Sequence, residues 1–239
     1  MYLVYKLEHM NNKMKKYTVN DRYFKELNED SAYWLGVMYA DGNVSENHKG
    51  TTGRVILSST DKEWVENFSK VISYSGPVRE EIHKKFKKSI WKVTIDSRAL
   101  FEDLVKNGCV PKKSLVIKFP SIEKKLERHF IRGYFDGDGS VTVCKNIKSA
   151  NWKILKTSFC SGSKEFLQEL VERLPSKNKS VYSGKRIYEI KLSLNDSLNL
   201  YHYMYENSGE KLARKFIKFE NYVMSYKPRG GSETTISHP

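Results

Sequence analysis

The sequence predicts an α+β fold of two pseudo-symmetric units, each with the element order αββαββα. Three observations predict it: a motif recurs at a fixed offset, the elements after each copy follow the same order, and both copies carry small residues four apart. The first copy, residues 31–44, reads Ser-Ala-Tyr-Trp-Leu-Gly-Val-Met-Tyr-Ala-Asp-Gly-Asn-Val. The second, residues 128–141, reads Arg-His-Phe-Ile-Arg-Gly-Tyr-Phe-Asp-Gly-Asp-Gly-Ser-Val. Gly36 aligns with Gly133, Asp41 with Asp138, Gly42 with Gly139 and Val44 with Val141, always 97 residues apart. Self-similarity at a constant offset marks a repeated structural unit.

Strand-like stretches follow the first motif through Ser45, Asn47 and Lys49 and then over 54–58. Residues 61–72 place apolar side chains at helical spacing, a strand pair follows around 77–83 and 90–95, and a helix near 97–107. The order recurs in the second half: strands over 141–147 and 152–159, a helix over 163–174, strands around 180–183 and 186–194, and a helix near 196–206. Pro111 and Pro120 mark the connection, and a basic helix over 209–226 closes the second unit. The expected division is a basic N-terminal extension at 1–26, a first unit at 27–115, a second at 116–228 and a disordered tail at 229–239.

Gly36 with Ala40, and Gly133 with Gly137, lie four apart and so share one helix face. Glycine inside a helix costs about 1 kcal/mol relative to alanine. Close approach of two helix backbones compensates for that cost, as in small-xxx-small pairs. If the two motif helices pack through these faces, Asp41 and Asp138 meet at their C-terminal ends, each followed by a glycine suited to ending a helix. A carboxylate there opposes the helix dipole, and two together repel. A bound cation offsets both effects, and oxygen-only ligands favour Mg²⁺ over zinc. The duplicated spacing argues against a mere pair of Asp-Gly turns.

Lys and Arg outnumber Asp and Glu by 42 to 28, a net charge of +14 distributed along the chain. A folded protein of this charge is expected to meet a polyanion, nucleic acid first among them. Metal between two halves of such a surface points to phosphodiester hydrolysis. No apolar run is long enough for a membrane helix, and the N-terminus lacks a signal-peptide core. Cys109, Cys144 and Cys160 fit neither a disulfide framework nor a zinc site, so an intracellular location (cytoplasm, nucleoid or organelle matrix) is expected rather than secretion. His48, His83, His129 and His202 have no zinc-finger or HNH spacing; His129 is expected to be packed within the second motif helix.

At residues 34–42 and 131–139 the chain resembles the LAGLIDADG homing endonucleases, and the segment from Val110 to Pro120 is similar to members of that family too. The resemblance spans roughly residues 20–226. It implies a two-helix interface between units, antiparallel sheets forming a saddle over DNA, and metal held by the last acidic residue of each motif, Asp41 and Asp138. It further implies cleavage of both strands at a long target site, leaving short 3′ overhangs, with Mg²⁺ or Mn²⁺ supporting cleavage and Ca²⁺ binding without it. A basic residue near the active site maps to Arg98 in the first half. The second half has Leu198 at that place, with Lys191 a weak substitute. Ser59 or Thr60, and Ser161 or Gly162, become candidates for holding metal-bound water. Asp136, where the first copy has Tyr39, is expected to be structural rather than a ligand.

Alternation along strands selects one face. The residues expected to meet double-stranded DNA are Ser45, Asn47, Lys49 and Arg54, then Arg79, Glu81, His83, Lys85 and Lys92. In the second half they are Thr142, Cys144, Asn146, Lys148, Lys153, Ser183, Lys185, Arg186 and Tyr188. Val44, Val141, Val143 and Ile147 suit the core side. The protein is expected to act as a monomer, without a membrane. Alternatives on the same scaffold are an RNA maturase that assists splicing of a host intron, which would make intron RNA a further partner, and a DNA-binding regulator that has lost cleavage. With Met1 at its start and no terminal His-Asn, the chain is not expected to be an intact intein.

Overall fold

A computed structural model describes residues 16–46, 52–85, 87–146 and 149–226, with the side chains of 145, 146 and 149–152 left out. The first unit runs α1 (Glu29–Ala40), β1 (Gly42–Glu46), β2 (Gly53–Ser59), α2 (Lys62–Val71), β3 (Arg79–Ile82), β4 (Ser89–Asp96) and α3 (Arg98–Lys106). A 3₁₀ turn at Lys113–Leu115 lies in the connection. The second unit runs α4 (Lys124–Asp138), β5 (Gly139–Asn146), β6 (Ser149–Ser161), α5 (Lys164–Arg173), β7 (Tyr182–Ser183), β8 (Tyr188–Leu192), α6 (Leu194–Tyr205) and α7 (Ala213–Ser225). Both sheets are antiparallel and share one order, β1-β2-β4-β3 and β5-β6-β8-β7. The αββαββα order is as the sequence predicts, once per unit.

Each sheet turns one face to a helix-covered core. Val44, Val55, Leu57, Val93 and Ile95 are buried in the first, and Val141, Leu155, Phe159, Ile190 and Leu192 in the second. Helices α2, α3 and α5 contribute amphipathic apolar stripes, with Trp64, Val65 and Phe68, then Leu100 and Leu104, then Phe166, Leu167 and Leu170 buried. By contrast α1 is buried almost all round, from Ser31 to Tyr39. An apolar helix that contacts protein on every side belongs at the centre, and α1 packs along α4 there. It starts at a capping box: Asn28 Oδ1 accepts from Ser31 N at 2.9 Å and Ser31 Oγ accepts from Asn28 N at 2.8 Å.

Two expectations shift. Residues 16–26 do not extend away: Phe24 is fully buried, Asn20 N donates to Ile72 O at 2.8 Å and Arg22 pairs with Asp103 at 3.2 Å. The basic C-terminal helix begins at Ala213 rather than 209, because Leu212 N donates to the buried Asp136 carboxylate and fixes the approach to the helix as a loop. The tail at 229–239 and residues 1–15 lie outside the described residues, as do Asn47, Lys49, Ile147 and Lys148. Among the described residues no helix is long and apolar enough to cross a membrane.

Candidate active site at the helix seam

The seam between α1 and α4 is as close as the glycine spacing requires. A Cβ on Gly36 would sit 2.1 Å from Phe130 O, and one on Gly133 would sit 1.9 Å from Tyr33 O. A Cβ on Gly137 would meet Ala40 Cβ at 2.3 Å. Backbone therefore lies on backbone at the crossing, and any side chain there forces the helices apart. The glycines after the acidic residues end the helices, as expected, without a left-handed cap. Gly139 has φ −77° and leads straight into β5. A Cβ on Gly42 would strike Met38 O at 2.6 Å, and one on Gly139 would strike Phe135 O at 2.5 Å. The abrupt helix-to-strand passage needs room, not positive φ.

Asp41 and Asp138 consequently stand together at the same end of the seam. The Asp41 carboxylate overlies Gly137, whose added Cβ would be 3.3 Å from Asp41 Oδ2. Crowding by protein beneath it and the neighbouring Asp138 charge push Asp41 up to about 6. The residue nonetheless remains exposed to solvent. Burial raises Asp138 as well, while Lys113, Lys215 and a hydrogen bond from Tyr134 pull it back.

Those two lysines are what the sequence reading missed. Lys113 Nζ, from the 3₁₀ turn, donates to Gly42 O. Lys215 Nζ, from α7, donates to Gly139 O at 2.5 Å and to Phe135 O and Gly137 O at 2.8 Å each. Each lysine thus binds the carbonyl of the glycine that follows an acidic tip, one in each unit. A cation at a helix C-terminus meets the negative end of the dipole and satisfies orphan carbonyls. Burial lowers Lys215 to about 8. Arg98 is engaged by other carboxylates: its guanidinium contacts Glu46 at 2.6 Å and Glu102 at 2.7 Å. Lys191 pairs with Glu189 at 3.1 Å. The available signal for Lys113 was its place in the Val110–Pro120 segment; nothing local distinguishes Lys215 from its basic neighbours.

A small cavity of about 70 Å³ lies beside Asp138, lined by Lys113, Tyr134, Ser161 and Gly162 among others. It is polar and roomy enough for water. Ser161 and Gly162 are therefore brought to the site, whereas Ser59 Oγ accepts from Asp61 N at 3.1 Å. Asp136 is fully buried and accepts from Tyr33 Oη at 2.9 Å, Tyr205 Oη at 3.1 Å and Leu212 N at 2.8 Å. Burial pushes it up to about 6 despite those donors. His129 is packed as expected, beside Arg132 at 3.1 Å, and burial with that guanidinium lowers it to about 4.

The outer sheet faces divide the remaining candidates. In the first unit, Ser45 pairs with Arg54, Arg54 with Asp96, and Arg79 with Lys92, which sets them on the face opposite the core. Glu81 shares that face, and His83 and Lys85 occupy the β3–β4 turn. In the second unit Thr142 is exposed opposite Lys156, and Cys144 faces Ile154. Lys185 and Arg186 lie in the β7–β8 turn. Lys153 shares the parity of the buried Leu155, Thr157 and Phe159, and so belongs to the helix side, where Tyr222 Oη donates to its carbonyl at 3.1 Å. Tyr188 pairs with the buried Ser161 and with Ser183, so these too alternate away from the outer face. Lys156, Tyr182 and Lys191 take their places on it. The alternation of Leu155 and Phe159 with Lys156 and Ser158 carried this parity in the sequence.

Residues 125–214 match the LAGLIDADG-like domain. The chain is 30% identical over 212 residues to a probable translation initiation factor IF-2 of Methanocaldococcus jannaschii, covering 85% of this chain and 16% of that protein. It is 27% identical over 141 residues to an uncharacterized protein of the same organism, covering 58% and 48%. It therefore spans less than half the length of these relatives. Its fold is similar to the LAGLIDADG meganuclease I-AabMI bound to uncleaved DNA, with TM-score 0.57 and 12% identity over 83% of this chain and 91% of that one. It is also similar to the homing endonuclease I-WcaI bound to its DNA recognition sequence, with TM-score 0.54 and 14% identity over 81% and 90%. A third likeness is to I-SmaMI bound to uncleaved DNA in the presence of calcium ions, with TM-score 0.51 and 12% identity over 83% and 91%.

Proposed function

We propose that this chain, whose residues 125–214 match the LAGLIDADG-like domain and whose two-unit fold is similar to LAGLIDADG meganucleases, is a site-specific, metal-dependent DNA endonuclease that cuts both strands of one long target. The observation that carries this reading is the meeting of Asp41 and Asp138 across the glycine seam, with Lys113 and Lys215 beside them. A protein that only binds DNA gains nothing from two repelling carboxylates at this point. The DNA-bound state of the structurally similar proteins supports double-stranded DNA as the partner.

The donor set fits a hard divalent cation. Among the described residues no group of three His, Cys, Asp or Glu side chains could hold a metal, so the protein offers two carboxylates and leaves the rest to substrate and water. Mg²⁺ is commonly held in that way, by one or two carboxylates plus phosphate oxygens and waters. When bound by Asp41 and Asp138, it supplies an activated water and stabilises charge on the phosphodiester oxygens.

The chain's own residues do the remainder. Lys113 and Lys215 favour the ionised form of both carboxylates and add positive charge where a phosphate would sit. The cavity beside Asp138 keeps room for water next to Tyr134 and Ser161. The outer sheet faces orient the duplex, with most lysines meeting phosphate.

The test is a cleavage selection on a randomised duplex library with Mg²⁺, followed by gel analysis of the selected site. Wild-type protein is expected to cut both strands at one site, leaving short 3′ ends. Ca²⁺ is expected to support binding alone. Asp41→Asn and Asp138→Asn should bind within a few-fold of wild type and lose cleavage by about a hundredfold or more. Binding without cleavage in Mg²⁺ and Mn²⁺, or full cleavage by Asp138→Asn, would overturn the proposal.

A further inference from the structure

The outer face of the first sheet carries an arrangement that neither stability nor bulk attraction to phosphate explains. Arg54 and Asp96 are direct cross-strand partners on β2 and β4. Their contact is side-on and bidentate, Arg54 Nε to Asp96 Oδ1 at 2.7 Å and Arg54 Nη2 to Asp96 Oδ2 at 3.1 Å. Both side chains remain about half exposed, at 52% and 50%. An exposed ion pair of this kind contributes about 0–1 kcal/mol to stability. An acidic group on a face turned toward phosphates weakens attraction to them. Asp96 is therefore unfavourable for non-specific binding and nearly neutral for folding.

Side-on contact has a geometric consequence. The guanidinium has five N–H donors in a rigid plane. Asp96 takes Nε–H and one N–H of Nη2, which leaves both N–H groups of Nη1 and the outer N–H of Nη2 along the far edge. That edge is the fork that matches guanine O6 and N7 in the major groove. The carboxylate also fixes the plane, so less side-chain entropy is lost when a base arrives. Arg54 and Asp96 line a concavity of about 500 Å³ together with Tyr17, Arg79, Lys92 and Thr94. Lys92, held by Glu81 at 3.0 Å, presents a point charge without a fork.

We propose that Arg54, held by Asp96 on the outer face of the first sheet, reads a guanine within the half-site gripped by the first unit. The inference rests on the reading of this chain as a DNA-binding protein and adds a specificity determinant to it. Asp96 acts as a positioning residue, through Arg54.

The experiment is a binding selection on a randomised duplex library in Ca²⁺, sequenced for wild type, Arg54→Gln and Asp96→Asn, with circular dichroism to show that each variant is folded. Wild type is expected to enrich guanine at a position on one side of the site's centre. Arg54→Gln should reduce that preference by about tenfold or more, leaving other positions unchanged. Asp96→Asn should blur the same position by several-fold while non-specific affinity rises or stays level. A uniform loss of affinity in Arg54→Gln with an unchanged sequence profile would make Arg54 a phosphate contact and overturn the proposal. An unchanged profile in Asp96→Asn would remove the positioning role. Failure of wild type to enrich any sequence would sink the DNA-binding reading itself, and this inference with it.

Discussion

The two units deliver the same acidic tip by different means. In the first, α1 is held by apolar and aromatic packing, with Tyr33, Trp34, Leu35, Val37 and Met38 fully buried and Tyr39 nearly so. Lys113 supports its end through one carbonyl, that of Gly42 at the start of β1. In the second, α4 carries buried His129, Arg132 and Asp136. Arg132 donates to Glu210 O at 2.9 Å and Met204 O at 3.1 Å, and Lys215 takes three carbonyls. Position 39 in the first unit and position 136 in the second are equivalent in the repeat, yet one is a tyrosine and the other a carboxylate. The polar set tethers α4 to the 204–215 stretch and so to α7, the helix that supplies Lys215. The seam geometry thus admits two packing chemistries, provided that the glycines stay.

The sharpest way to break the symmetry is at the shared element. Gly133→Leu or Gly36→Leu drives a side chain into backbone and should cost at least about 3 kcal/mol, read as loss of cooperative unfolding or a large fall in Tm. Comparable effects from both variants would show that the crossing is symmetric although its surroundings are not. Wild-type stability in either one would refute the close seam.

Next in size is the equivalent pair. Asp136→Ala leaves two tyrosine hydroxyls and the Leu212 N–H without their acceptor, and breaking such a buried network costs about 3–5 kcal/mol. Tyr39→Phe removes one hydrogen bond, from Tyr39 Oη to Asn107 O at 2.8 Å, and should cost about 1 kcal/mol. Urea melts of the two variants measure the difference. Equal losses would mean that the polar network contributes no more than the single hydrogen bond made at the equivalent position of the first unit.

The smallest effect separates the tips themselves. Asp41 lies above its unfolded value, pushed by crowding and by Asp138. A carboxyl whose folded pKa is raised ionises more readily in the unfolded chain, so stability is lowest above about pH 6 and recovers as pH falls toward 4. Metal-free Asp41→Asn should therefore melt above wild type at about pH 7.5, with the gap narrowing below about pH 6 and closing toward about pH 4. The raised Asp136 is present in both proteins and cancels. A gap that widens on acidification would mean that the carboxylate is stabilised rather than strained.

Much of this molecule was legible from local pattern. The repeat gave both motif helices, and Gly36 and Gly133 pointed to the backbone contact, because small residues four apart share one helix face and leave room for a close approach. Parity in the first sheet was readable in β4, where Val93 and Ile95 alternate with Lys92, Thr94 and Asp96, although Ile56 interrupts the pattern in β2. It failed at Lys153, Ser183 and Tyr188, which do not keep the phase set by Leu155 and Phe159 on β6 and carried to β8 and β7 by cross-strand pairing. Arg98 fitted a position expected from resemblance, but nearby Glu46 and Glu102 engage it.

Sequence alone determined the elements, their duplication and the two carboxylates, because each depends on spacing within one helix or strand. Tertiary structure decided which cations stand beside them. Lys215 reaches Gly137 across 78 residues and Lys113 reaches Gly42 across 71, and Asp136 finds Leu212 across 76. Nothing in the spacing of either lysine marks those contacts, since their partners are backbone carbonyls, which every residue possesses and only packing can bring within reach.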